Sequence, residues 1–153
     1  MKKILLFTGF MLLAGALLTG CKKDNKQSAA PQTAFFGTWK WGGSPFWSTV
    51  TIDTDKIVFI NSEEYAYTLE NLTWTPINNP SDDYSYPTGY KFTGKLTHVD
   101  HIILLKADGS GEAAVGDMAC DWWYISTDKN SLSQGDWYSE YHHSTGDSYF
   151  KQP

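Results

Sequence analysis

The stretch Tyr90-Lys91-Phe92-Thr93-Gly94-Lys95-Leu96-Thr97 decides the fold. Tyr90, Phe92, Gly94 and Leu96 alternate without a break with Lys91, Thr93, Lys95 and Thr97. Successive side chains of an extended chain point to opposite faces. The stretch therefore has one apolar and one wet face, the mark of a half-buried β-strand.

The same pattern recurs on both sides. Val50 and Ile52 alternate with Thr49 and Thr51. Tyr65, Tyr67 and Leu69 share one face, whereas Leu72 and Trp74 continue in the opposite phase. A one-residue slip near Glu70-Asn71 fits a β-bulge. Lys56 to Ile60, His101 to Leu105 and Asp121 to Ser126 are continuous apolar runs, read as further strands. Asp53-Thr54-Asp55, Asn78-Asn79-Pro80, Asp108-Gly109-Ser110-Gly111, Asp128-Lys129-Asn130 and Ser144-Thr145-Gly146 read as turns, and Ser81 to Pro87 as a loop. Short strands at regular spacing with such turns predict an all-β antiparallel sandwich or barrel, without a helix after the N-terminal segment.

Gly37-Thr38-Trp39 opens the first strand and resembles the Gly-x-Trp signature of lipocalins and their calycin relatives. The resemblance implies an up-and-down β-barrel of about eight strands over residues 35–153, with Trp39 closing one end. It also implies a cavity for a small hydrophobic ligand, with Trp41, Tyr65, Tyr67, Trp74, Tyr90 and Phe92 as the expected ligand-binding side chains. Two features depart from the family. Lipocalins pack an arginine across the tryptophan, and this chain has no arginine. The family's Thr-Asp-Tyr segment is also missing, since Thr127-Asp128 is followed by Lys129.

Outward in the other direction lies Lys2-Lys3, then an apolar run from Ile4 to Leu18, then Leu18-Thr19-Gly20-Cys21. A charged start, a short apolar middle and small residues before a cut are the parts of an export signal. The run is shorter than the ~20 residues of a membrane-spanning helix. Leu18-Thr19-Gly20-Cys21 resembles the lipobox of bacterial lipoproteins. That likeness implies a signal peptide over residues 1–20, cleavage before Cys21, and lipid attachment through a diacylglyceryl thioether on Cys21. Two or three acyl chains anchor stably where one is marginal. Residues 21–34 lack large apolar side chains and read as a flexible linker. Lys22, rather than Asp, follows the cysteine, and by the same resemblance this directs the protein to the outer membrane.

Composition narrows the function. Cleavage removes Lys2 and Lys3 and no acid, leaving 10 lysines against 17 acids and a formal charge of −7. With no basic footprint and no arginine, nucleic acid is not an expected partner. The expected partners are the membrane, through the anchor, and either a small hydrophobic ligand or an envelope protein or glycan. Once Cys21 is lipidated, Cys120 has no partner and reads as a small buried hydrophobe.

Two histidine pairs, His98 with His101 and His142 with His143, lack the converging third and fourth ligands of a zinc site. The acids of Asp53-Thr54-Asp55 and Asp108–Glu112 lack the loop of a calcium site. Neither a Gly-x-Ser-x-Gly elbow nor a His-Glu-x-x-His motif occurs, so no cofactor, metal or catalytic residue is expected and the chain is read as a non-enzyme. Tyr84, Tyr86, Trp137, Tyr138 and Tyr141 sit among polar residues. They are the expected surface for the alternative reading, an interaction module with a fully packed core. Adjacent Trp122 and Trp123 cannot share one face of a strand.

Overall fold

The computed structural model describes residues 31–78, 85–135 and 147–153. It is all-β. The strands are β1 (Gly37–Gly43), β2 (Phe46–Ile52), β3 (Lys56–Asn61), β4 (Ala66–Asn78), β5 (Thr88–Asp100), β6 (Leu105–Lys106), β7 (Met118–Ile125), β8 (Ser131–Gln134) and β9 (Tyr149–Lys151). All pair antiparallel. β1 to β5 run as neighbours, then β7, β8 and β9, and β9 returns to β1 through Trp39–Lys151 and Lys40–Phe150. Eight strands thus close an up-and-down barrel, which abolishes its sheet edges. β6 lies outside the ring order, on the edge of β7 away from β5.

The alternating stretch at Tyr90–Thr97 forms the middle of β5, with Tyr90, Phe92 and Leu96 buried. In β2, Val50 and Ile52 point inward. The bulge is present in β4. Tyr67 and Leu69 face the core before it, and Leu72 and Trp74 pack on the core after it. There Asn71 and Leu72 stand opposite Gly94 alone, and Asn71 takes a left-handed φ of 58°. A Cβ on Gly94 would lie 2.9 Å from both the Glu70 carbonyl oxygen and Leu72 Cδ2. The bulge is thus seated on a residue that must be glycine.

The chain enters the barrel through a single 3-10 turn at Gln32–Ala34, the last residues of the stretch read as linker. Phe35 follows, fully buried, and its carbonyl accepts the Trp39 indole N–H at 2.8 Å. Trp39 is also fully buried. The Lys151 ammonium sits 5.2 Å from the centre of its ring, so the last strand lays a cation across the tryptophan of the first. The stem of Lys151 explains Gly37, where φ is +125° and a Cβ would lie 3.2 Å from Lys151 Cε.

Far from this entry end, the run His101–Leu105 corrects the sequence reading. Only Leu105 enters a strand, and 102–104 are irregular. The chain leaves β5 on one edge of β7 and rejoins the sheet as β6 on the other. This crossover leaves the sheet ladder yet still covers the core: Leu104 is fully buried, and Ile102 and Ala113 pack against the same cluster.

Candidate functional site

The interior is built from the residues expected to hold a ligand, but they hold one another. Near the entry end the Trp74 ring centre lies 4.3 Å from that of Phe92 and 5.4 Å from that of Tyr90. Phe35 completes this aromatic plug, 5.4 Å from Tyr90 and edge-on. Trp74 is fixed from outside by its indole N–H, which donates to the Thr54 carbonyl at 2.9 Å. Tyr67 stacks on Phe59 at 5.3 Å. Trp41 is partly buried against the same core.

Tyr65 departs from its expected place in the interior. It is the last residue before β4 and its N–H donates to the Asn61 side chain. The turn breaks the strand alternation, so the ring stands outside, edge-on to His101 at 6.3 Å. Cys21, Tyr84, Trp137, Tyr138, Tyr141, His142 and His143 lie outside the described residues.

Midway along β7 the core holds a carboxyl that was not singled out from the sequence. Asp121 is fully buried. Its Oδ2 accepts the Tyr67 hydroxyl and the Trp123 indole N–H, the latter at 2.5 Å. Its Oδ1 accepts the Trp122 backbone N–H at 2.9 Å and Gln134 Nε2 at 3.2 Å. Four donors from β4, β7 and β8 thus meet the roughly four lone-pair positions of a carboxylate.

Burial raises the Asp121 pKa, and these hydrogen bonds oppose the rise without cancelling it. Burial also raises Tyr67 well above the ordinary tyrosine value, with the Asp121 charge adding to it. Close by, Tyr149 packs edge-on against Trp123 at 5.1 Å and bonds the Ser48 hydroxyl; burial pushes it up to about 12. A base or acid for catalysis needs a substrate within hydrogen-bond reach. Asp121 is enclosed by the barrel's own donors, so the arrangement ties three strands together. The signal in the sequence was its phase: Ala119, Asp121, Trp123 and Ile125 share the inward face of an otherwise apolar run.

The outward face of β7 makes a second, smaller core. Cys120, Trp122 and Tyr124 pack there with Tyr86, so Trp122 and Trp123 face opposite ways. Tyr86, expected on the surface, is buried because its hydroxyl reaches Ser131 at 3.0 Å and Ser148 at 2.6 Å. The Lys91 ammonium lies 5.5 Å over the Trp122 ring. Cys120 is a free thiol with its pKa pushed up to about 11, chiefly by burial.

The acids of the turns are held by local donors. Ser110 lowers Asp108, the Ala114 N–H lowers Asp117, and Ser126 with Asn130 lowers Asp128. Among the described residues no three metal-ligating side chains converge, and no helix is long and apolar enough to cross a membrane.

Apart from Phe150 on β9, the exposed large apolar side chains among the described residues gather at one end. Phe46, Ile60, Tyr65, Ile103, Val115 and Met118 lie in the far-end connections or at the strand ends beside them. Between the β1–β2 turn, the β3–β4 turn and the end of β5 runs an open groove of about 660 Å³. Comparison with protein-family models, curated proteins and solved structures finds no match to this chain.

Proposed function

We propose that this chain is a lipid-anchored protein of the bacterial cell envelope. In this reading its barrel is a packed, non-catalytic scaffold that meets another envelope component through its outer surface. One observation carries the second half: Tyr67 and Phe92 have no accessible surface at all. A side chain lining a ligand-sized void keeps surface on its cavity side, because pockets for small molecules enclose about 300–1,000 Å³. Here those rings are closed off by Phe59, Trp74 and Phe35. The exposed apolar side chains of the far end are what the barrel offers instead.

Anchoring rests on Leu18-Thr19-Gly20-Cys21, with Cys21 as the acylated residue and Lys22 favouring the outer membrane. The two halves are tested apart. Cys21→Ala should abolish incorporation of radiolabelled palmitate and release the protein from the membrane fraction; persistent label would overturn the anchor. Fatty acids, retinoids and porphyrins should quench tryptophan emission without saturation. Saturable one-to-one quenching would restore the small-ligand reading.

A further inference from the structure

We propose that the far-end groove docks a segment of a partner protein that carries a lysine or arginine beside an apolar side chain. The inference rests on the outer-surface reading and names its partner. Pro45, Trp47, Ile60 and Ala66 supply the apolar lining of the groove, and Glu64, Asp100 and His98 its ionisable groups. No lysine lines it, and the chain has no arginine to offer from elsewhere. Complementary charge steers such encounters and rejects partners of the wrong sign.

The carboxylates of Glu64 and Asp100 favour a cationic segment over a neutral glycan. Asn61 Oδ1 already accepts the N–H groups of Glu63 and Tyr65, at 2.9 and 3.0 Å. Ser62 Oγ accepts the Trp47 N–H at 3.2 Å, and the Ser62 N–H donates to the Trp47 carbonyl at 2.8 Å. The Ser62 bonds hold the β3–β4 turn to β2, and those of Asn61 Oδ1 lie within the turn. The two carboxylates and the apolar lining are the surface a basic segment would use.

Of the lining residues, Glu64 takes a left-handed backbone conformation with φ of 67°, and Asp100 Oδ1 lies 3.0 Å from Nδ1 of His101, just outside the lining. The entry segment at Gln32–Phe35 lies at the end of the barrel opposite this groove.

The test is selection of random dodecapeptides displayed on phage against the full-length chain in detergent micelles. The expected result is enrichment of peptides with Lys or Arg next to an apolar residue. Their affinity should fall about tenfold for Glu64→Gln combined with Asp100→Asn, as loss of two exposed ion pairs implies. It should also fall with added salt. An acidic or neutral consensus, no enrichment, or enrichment untouched by the double substitution would overturn the proposal. So would glycan-array binding that maps to this groove, which would leave the outer-surface reading standing. Uptake of an apolar ligand into the barrel would instead remove the reading beneath it. Unchanged thermal unfolding of the double variant, exposed at both positions, checks that the fold is intact.

Discussion

At the level of single residues, Asp121 and Trp39 carry the largest consequences. Trp39 is fully buried with its N–H satisfied, so Trp39→Ala should cost about 3–5 kcal/mol in urea unfolding, the range for large aromatic truncations in cores. Asp121→Ala would take an acceptor from the Tyr67 hydroxyl, the Trp123 indole and the Gln134 amide. Leaving a buried donor without its acceptor costs about 1–3 kcal/mol, and urea unfolding should show a loss of at least that size.

The pH dependence of Asp121 has a definite sign. Its folded pKa is raised, so its contribution to stability is fully present below the ordinary aspartate value of about 3.9 and is lost as pH rises through the folded value. Asp108, Asp117 and Asp128 act oppositely, contributing above that value and losing their contribution as pH falls through their lowered ones. The stability difference between the native chain and Asp121→Asn should therefore shift against the native chain as pH climbs from about 4 towards 7. Urea unfolding across that window measures it, and a difference independent of pH would contradict the raised pKa. Neither the role of Asp121 nor the burial of Tyr86 was legible residue by residue. The partners that satisfy them lie up to 54 and 62 residues away in the chain.

At the level of elements, period-two patterning carried most of the fold. It found the core of β5 and β2, and the phase reversal across Glu70-Asn71 found the bulge. The pairing with Gly94 gives that bulge a test. Gly94→Val should destabilise by about 1–3 kcal/mol, the cost of overpacking, because its Cβ has no room against Glu70 and Leu72. Asn71→Gly should be tolerated, since glycine adopts the left-handed conformation without penalty. A thermal shift for Asn71→Gly as large as that for Gly94→Val would place the constraint elsewhere.

His101–Leu105 misled because an apolar run reads alike whether its backbone pairs in a strand or crosses over the core. Ile102 and Leu104 serve the interior either way. Tyr65 misled for a related reason, since alternation carries no information about where a turn hands over to a strand. The strand face of Cys120 was equally hidden. Its burial predicts slow reaction with thiol reagents in the folded chain and full reaction in denaturant, followed by the release of a chromogenic thiolate.

For the whole molecule, closure of eight strands follows from the strand pattern and turn chemistry, but the filling of the barrel does not. Aromatic side chains on an inward face can line a void or fill it, and sequence pattern is the same for both. In this chain Phe35 from the entry segment and Leu104 from the crossover, both outside the barrel strands, are fully buried in the barrel core. The entry segment at Phe35 lies at one end of the barrel and the groove at the other. Xenon enters apolar cavities that stay dry in water, so it reports a void directly. A crystal of the chain pressurised with xenon should show no gas site among Tyr67, Phe92 and Trp74. A well-occupied xenon site between those rings would contradict the packed barrel.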